Sequence, residues 1–272
     1  MSKLEFDSDG FQIVKSKNSV KSKVIVPTKD FKKQDIKIDI EKSRRRIEIA
    51  IEELKESQYL KDVVQKVSEI AGDKNIVEIV CFGLGHISEC NISRYQLALL
   101  LCLKQKFNPH DVFVHDPIFY TNECTLLNKL SLSVIVENTE GNYIISKKGV
   151  TLAYFPHCPK QLTNNFLWSN WGLNLDHCIL ICNSFSSLID NQPSRVLKQI
   201  VPCITKIHPL SLEVTLENSF VYKDIFNDTS IHYFPKEKLE SVPSNFWIAN
   251  DKPDYKNIEE FITSEMIDKL TL

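Results

Sequence analysis

The apolar residues of this chain fall into two regimes. Between Ile40 and Ala71, Ile47, Ile51 and Leu54, then Leu60, Val63, Val64, Val67 and Ile70, recur at three- and four-residue spacing. That is the period of a helix with one face on a core, and it predicts helix up to a stop at Gly72. Beyond Gly72, short apolar runs alternate with helical stretches. Strands are predicted at Ile76–Phe82, Val112–His115, Val134–Val136, Thr151–Phe155 and Cys178–Cys182, with a late one at Ser230–Phe234. Helices are predicted between them at Ile92–Phe107, Thr121–Leu130 and Lys160–Trp171, and a stretch carrying Val196, Ile200 and Ile204 is interrupted by Pro202. Alternation of this kind points to an α/β fold, a doubly wound, mostly parallel sheet in a Rossmann-like three-layer arrangement. Helical additions flank it at both ends.

The same pattern divides the chain. Residues 1–39 are lysine-rich and poor in long apolar runs, the composition of a basic, partly disordered arm, although Phe11–Val14 and Val24–Val26 could dock as short extended pieces. Residues 40–235 form the α/β domain, and residues 236–272 a polar tail with a final helix predicted over Ile258–Leu270.

Composition narrows the classes. A formal net charge of −2 gives no overall reason to expect nucleic acid as the partner. The start, MSKLEFDSDG, has neither the order of a secretory signal nor the character of a transit peptide, and no apolar run approaches the length of a membrane span. The expectation is a cytoplasmic protein, with nuclear entry as an addition. Eight cysteines without a CxxC pair then read as free thiols. Arg44-Arg45-Arg46 reads as a solvated helix face and is given no role.

In an open parallel sheet ligands bind beyond the carboxyl ends of the strands. Each predicted strand here ends in unusual residues: Gly83-Leu84-Gly85, Asp116-Pro117, Glu137-Asn138, Pro156-His157-Cys158 and Asn183-Ser184-Phe185. Gly83, Gly85, Ser88, Asp116, His157, Cys158, Asn183 and Ser184 are therefore the ligand-binding candidates. Glycines after a strand let backbone approach an anion, but a dinucleotide fingerprint wants a third glycine where Ser88 stands, and a methyltransferase-like loop meets Ile87. His157 and Cys158, adjacent on an extended chain, point apart and make no dyad with each other. His86 and His115 lack a short-spaced ligand partner, so no metal site is assigned. Cys158-Pro159 is the dipeptide of haem-regulatory motifs, which keeps haem beside a nucleotide-like ligand as a cofactor candidate, with none certain.

Taken together, the strings Phe82-Gly83-Leu84-Gly85, Ser93-Arg94-Tyr95-Gln96-Leu97-Ala98, Asp116-Pro117, Pro156-His157-Cys158, Asn170-Trp171 and Cys182-Asn183-Ser184-Phe185 resemble the SRR-like (sensitivity to red light reduced) family. The family's last string begins with Gly, so Cys182 is a departure. The resemblance implies a regulatory protein, associated with circadian-clock input and regulation of haem biosynthesis, working through protein partners. It brings no catalytic residues. The alternatives are a nucleotide- or adenosylmethionine-binding enzyme, with Gly83 and Gly85 beneath the ligand, Asp116 on a ribose hydroxyl and His157 as acid or base, and a protein-interaction scaffold.

Overall fold

A computed structural model of the chain describes residues 38–248, 251–255, 261–264 and 266. The predicted N-terminal arm over residues 1–37, with its two short extended pieces, and most of the final helix predicted over residues 258–270 lie outside the described residues.

The long helical pattern that opens the domain folds as two helices, α1 (Ile40–Lys55) and α2 (Gln58–Ala71). The periodicity carries across the break because both helices lay their apolar residues on the same core. Ser57 makes the break. Its hydroxyl donates to the Leu54 carbonyl at 2.6 Å, closing α1, and accepts the Leu60 amide at 3.2 Å, opening α2.

From Ile76 onward the alternation expected from the sequence appears. β1 (Ile76–Phe82), α3 (Asn91–Phe107), β2 (Asp111–His115), α4 (Thr121–Lys129) and the two-residue β3 (Ser133–Val134) run in one direction across the sheet. β4 (Val150–Tyr154), α5 (Lys160–Ser169) and β5 (Cys178–Asn183) return to β1 and run in the other. β1 to β5 pair in parallel. Next come three short helices, α6 (Phe185–Asn191), α7 (Ser194–Ile200) and α8 (Pro202–Ile207), the last two parted at the expected Pro202. β6 (Leu212–Thr215) and β7 (Thr229–Tyr233) complete a seven-stranded sheet among the described residues, in the order β3-β2-β1-β4-β5-β7-β6. β7 lies antiparallel to both β5 and β6.

Alternation along each central strand explains the three layers. Ile79 and Cys81 of β1, Leu152 and Tyr154 of β4, and Ile179 and Ile181 of β5 pack with α1, α2 and α3. Val80 and Phe82, Ala153 and Phe155, and Leu180 and Cys182 face the opposite layer with α5, α7 and α8. Both sets are buried, which is why these strands read as continuous apolar runs. Beyond Pro235, α9 (Lys236–Glu240) buries Leu239 in the second layer, and the Tyr255 hydroxyl donates to the Ile200 carbonyl at 2.9 Å.

Replacing Ser57 with Ala removes the bonds that end one helix and begin the next. The expected loss is about 1 kcal/mol in urea unfolding. An unchanged midpoint would mean that packing alone sets the break.

Candidate functional site

Because β1 connects toward β2 and β4 toward β5, the crossovers leave in opposite directions beyond the carboxyl ends of β1 and β4. Here the two chain segments touch. Gly83 has φ +78°, and a Cβ built on it would overlap the Cys158 sulfur. The Cys158 thiol donates to the Phe82 carbonyl at 3.0 Å. Burial pushes that thiol well above the ordinary range, and the Asp116 carboxylate adds to the effect. A thiol held protonated against a carbonyl does not fit a thiolate ligand to haem iron.

The chain turns sharply at the preceding residue, where His157 has φ +47°. Its ring is bonded at both nitrogens. Nδ1 lies 3.2 Å from Gln96 Nε2, whose amide donates, and Nε2 donates to the Asn227 carbonyl at 3.0 Å. Gln96 also donates to the Ile225 carbonyl at 3.3 Å. His157 and Gln96 thereby tie the 225–228 loop to α3.

The other candidates form a separate network. The Gly85 amide donates to Asp116 Oδ2 at 2.7 Å, and Oδ1 of the same carboxylate accepts the Ile118 amide at 3.0 Å. The backbone donor expected to face an anion is thus taken by a side chain of the neighbouring strand end. Burial raises the Asp116 pKa, against the opposing pull of the Ile118 and Gly85 amides. Ser88 is buried and bonded through its amide at 2.8 Å and its hydroxyl at 2.6 Å to Glu123 Oε1. Glu123 Oε2 takes His86 Nδ1 at 3.1 Å and the Tyr120 amide at 3.0 Å. Burial opposes the charge on Glu123, but these donors outweigh it and lower its pKa.

What opens to solvent lies one strand further along. A crevice of about 570 Å³ sits beyond the ends of β4 and β5. His157, Asn183 and Asp228 border it; Pro159, Lys160 and Thr163 stand on one side, and Ser184, Ser187 and Asn191 on the other. Leu188, Ile204 and Phe185 add apolar wall. Asn183 Nδ2 donates to Asp228 Oδ2 at 3.3 Å, and the Ser184 hydroxyl caps α6 by accepting the Ser187 amide at 2.9 Å. Among the described residues, the Lys160 ammonium and the Thr163 hydroxyl make no hydrogen bond. The structure therefore brings His157, Cys158, Asn183 and Ser184 together and leaves Gly85, Ser88 and Asp116 outside the crevice lining. Gln96, Lys160 and Asp228 were not singled out from sequence. Asp228 has one discernible signal in the sequence, the Asn227-Asp228 pair just before a strand, and in the structure it takes φ +50°.

Behind the crevice wall, Phe185 stacks on His232 at 3.8 Å between ring centroids. His232 is fully buried, donates through Nε2 to the Asn183 carbonyl at 3.2 Å, and leaves Nδ1 without a partner. It pairs across the ladder with Glu213, whose Oε2 accepts the Ser186 hydroxyl at 2.7 Å. Burial lowers the His232 pKa to about 4, despite the nearby Glu213 charge.

A family model described as the SRR1 domain matches residues 57–233. An SRR1-like protein of Drosophila melanogaster is 28% identical over 232 residues, covering 83% of this chain and 80% of that protein. An SRR1-like protein of Mus musculus is 36% identical over 141 residues, covering 51% and 56%. The Arabidopsis thaliana protein Sensitivity to Red Light Reduced 1 is 28% identical over 224 residues, covering 75% and 80%. Among solved structures, the plantazolicin methyltransferase BpumL is 13% identical with a TM-score of 0.31, covering 76% of this chain and 94% of that one.

Two measurements test this geometry. Gly83→Ala is expected to cost about 2 to 4 kcal/mol, from the left-handed backbone and the clash with Cys158. In the Cys158→Ala background the clash is gone, so a double-mutant cycle in urea should return a coupling above about 1 kcal/mol. Strict additivity would show that the two residues do not press on each other.

The His232 prediction concerns pH. Its folded pKa of about 4 lies below the ordinary 6.5, so its stabilising contribution is complete above pH 6.5 and is lost as pH falls toward 4. The loss should reach on the order of 3 kcal/mol. Glu123, Glu140 and Glu213, all lowered, lose theirs only below the ordinary carboxylate value of 4.5. His86, raised, contributes below pH 6.5 and loses its share as pH rises through its folded pKa. His232→Gln should therefore flatten the stability profile between pH 6.5 and 5, and a retained slope would assign that titration to another group.

Proposed function

The chain belongs to the SRR1-domain family, and from that membership we propose that it is a regulatory protein whose conformation responds to a small polar ligand held beyond β4 and β5. One observation carries the ligand: a crevice of about 570 Å³ is lined by Lys160, Thr163 and Asp228. An acidic group would meet Lys160; hydroxyl or amine donors would meet Asp228 and the Asn183 side chain. Closure on such a ligand would reach the 225–228 loop through Asp228, and α3 through His157 and Gln96. That linkage gives a binding event a route from the crevice to α3.

A role in light or clock input is supported by the name of the Arabidopsis relative. A role in the regulation of haem biosynthesis rests on the family resemblance alone. The same reading puts the protein in the cytoplasm, with access to the nucleus. An adenosyl-dependent enzyme would need the Gly85 amide, Asp116 and His157 free for substrate, and each is bonded within the protein.

The test is a thermal-shift screen of the full chain against adenosine nucleotides, adenosylmethionine and haem. A true ligand at a hundredfold excess over its Kd should add about 2.7 kcal/mol, a rise of roughly 5 to 10 °C. Lys160→Gln or Asp228→Asn should abolish that rise. Silence from every compound would overturn the ligand reading in favour of a scaffold, and a haem shift that survives Cys158→Ala would place haem away from that thiol.

A further inference from the structure

The N-terminal end of α3 carries a charge that its surroundings leave uncompensated. Arg94 is buried, with 9% of its surface exposed. Its Nη1 donates to Asn91 Oδ1 at 2.9 Å and its Nη2 to the Ser88 carbonyl at 3.3 Å, both neutral acceptors. Its Nε has no partner. Among the described residues, no carboxylate comes within ion-pair distance of Arg94 or of Arg46 on the facing helix α1. Arg44, two residues away, shows what α1 does with an ordinary surface arginine: it pairs with Glu41 at 3.3 Å and Glu48 at 3.0 Å.

Arg46 and Arg94 border one cavity of about 380 Å³ together with Ile49, Asn91, Tyr95 and Glu89. A buried guanidinium without a counter-charge is costly, and a second one beside it adds repulsion. Burial lowers the Arg94 pKa and Arg46 lowers it further. At Cys90 burial opposes the thiolate, but hydrogen bonds from Ser93 and Ile92 and the Arg94 charge bring the thiol pKa down. Glu89, exposed on the rim, is the one opposing charge in the lining and pairs with neither arginine.

We propose that this α1–α3 cavity is an oxyanion site that takes the phosphoryl group of a small phosphorylated molecule between the Arg46 and Arg94 side chains that line it. It is separate from the crevice beyond β4 and β5 and shares no lining residue with it. The phosphoryl group supplies the negative charge that both guanidiniums lack among the described residues. Ile49 and Tyr95 leave an apolar wall for whatever the phosphate carries.

Isothermal titration of the full chain with inorganic phosphate and with a nucleoside monophosphate tests this. Saturable binding is expected, weakened about tenfold by Arg46→Gln, which alters an exposed residue and leaves the fold alone. Glu89→Gln should tighten binding about threefold by removing the rim's repulsion. Arg94→Met should abolish it; because Arg94 is buried, that variant is read only alongside a circular dichroism melt, and the Arg46 and Glu89 pair carries the test if it unfolds. Tighter binding of the nucleoside monophosphate would assign the site to a phosphomonoester, and equal binding to free phosphate. A linear titration in the unaltered chain, or equal affinity in the unaltered chain, Arg46→Gln and Glu89→Gln, would overturn the proposal.

Discussion

The close approach of two backbone segments at Gly83 and Cys158 determines how the functional edge is arranged. A parallel sheet that reverses its direction of winding brings the ends of its two central strands side by side. In most such sheets the gap between them is left to a ligand. Here Cys158 fills it, with its thiol against the Phe82 carbonyl and its sulfur in the space where Gly83 has no side chain. The geometry then propagates. To bring Cys158 inward the chain must turn at His157, which adopts a left-handed backbone conformation and sends its ring toward Gln96 and the Asn227 carbonyl. The opening is displaced by one strand as a result, to the space beyond β4 and β5.

The second consequence concerns where the polar residues of the edge are used. Buried polar groups must find partners within the protein or cost several kcal/mol each. Asp116 and Glu123 satisfy that requirement for two loops, taking the amides of Gly85 and Ser88 between β1 and α3 and those of Ile118 and Tyr120 between β2 and α4. A loop that could have cradled an anion is instead held shut by two carboxylates. The same device recurs at Glu140, which takes Lys252 at 2.8 Å and the Ser264 amide at 2.7 Å and so fastens the segment beyond Pro235 to the domain.

Much of this architecture was legible in the sequence, because a parallel strand buried on both faces leaves an unmistakable apolar run and its end is marked by Gly, Pro or a polar residue. β6 escaped because Leu212-Glu213-Val214-Thr215 is four residues long, alternates, and lies at the sheet edge, where half of its side chains face outward. The division of α1 from α2 escaped because Ser57 interrupts the backbone without interrupting the hydrophobic stripe. At the strand ends, local spacing picked out His157, Cys158, Asn183 and Ser184, which line one crevice. It could not find Gln96 or Asp228, which meet them across 61 and 45 residues of chain. Nor could it tell that the Gly85 amide is consumed by Asp116, since that bond depends on which strand lies next to which.

The bonding state of the edge also bears on what it can do. A general acid or base needs a titratable group with an unoccupied lone pair or proton aimed at substrate, and a nucleophilic cysteine needs its thiolate. His157 is bonded at both nitrogens, Asp116 at both oxygens, and Cys158 is kept in its thiol form by burial. These groups rigidify the rim rather than react across it. What opens on the crevice is a different set: the Lys160 ammonium and the Thr163 hydroxyl, which make no hydrogen bond among the described residues, and the Asp228 carboxylate, which accepts from Asn183 at 3.3 Å. These groups offer charge and hydrogen bonding to the crevice, while the neighbouring Asn227 carbonyl ties the Asp228 loop through His157 and Gln96 to α3.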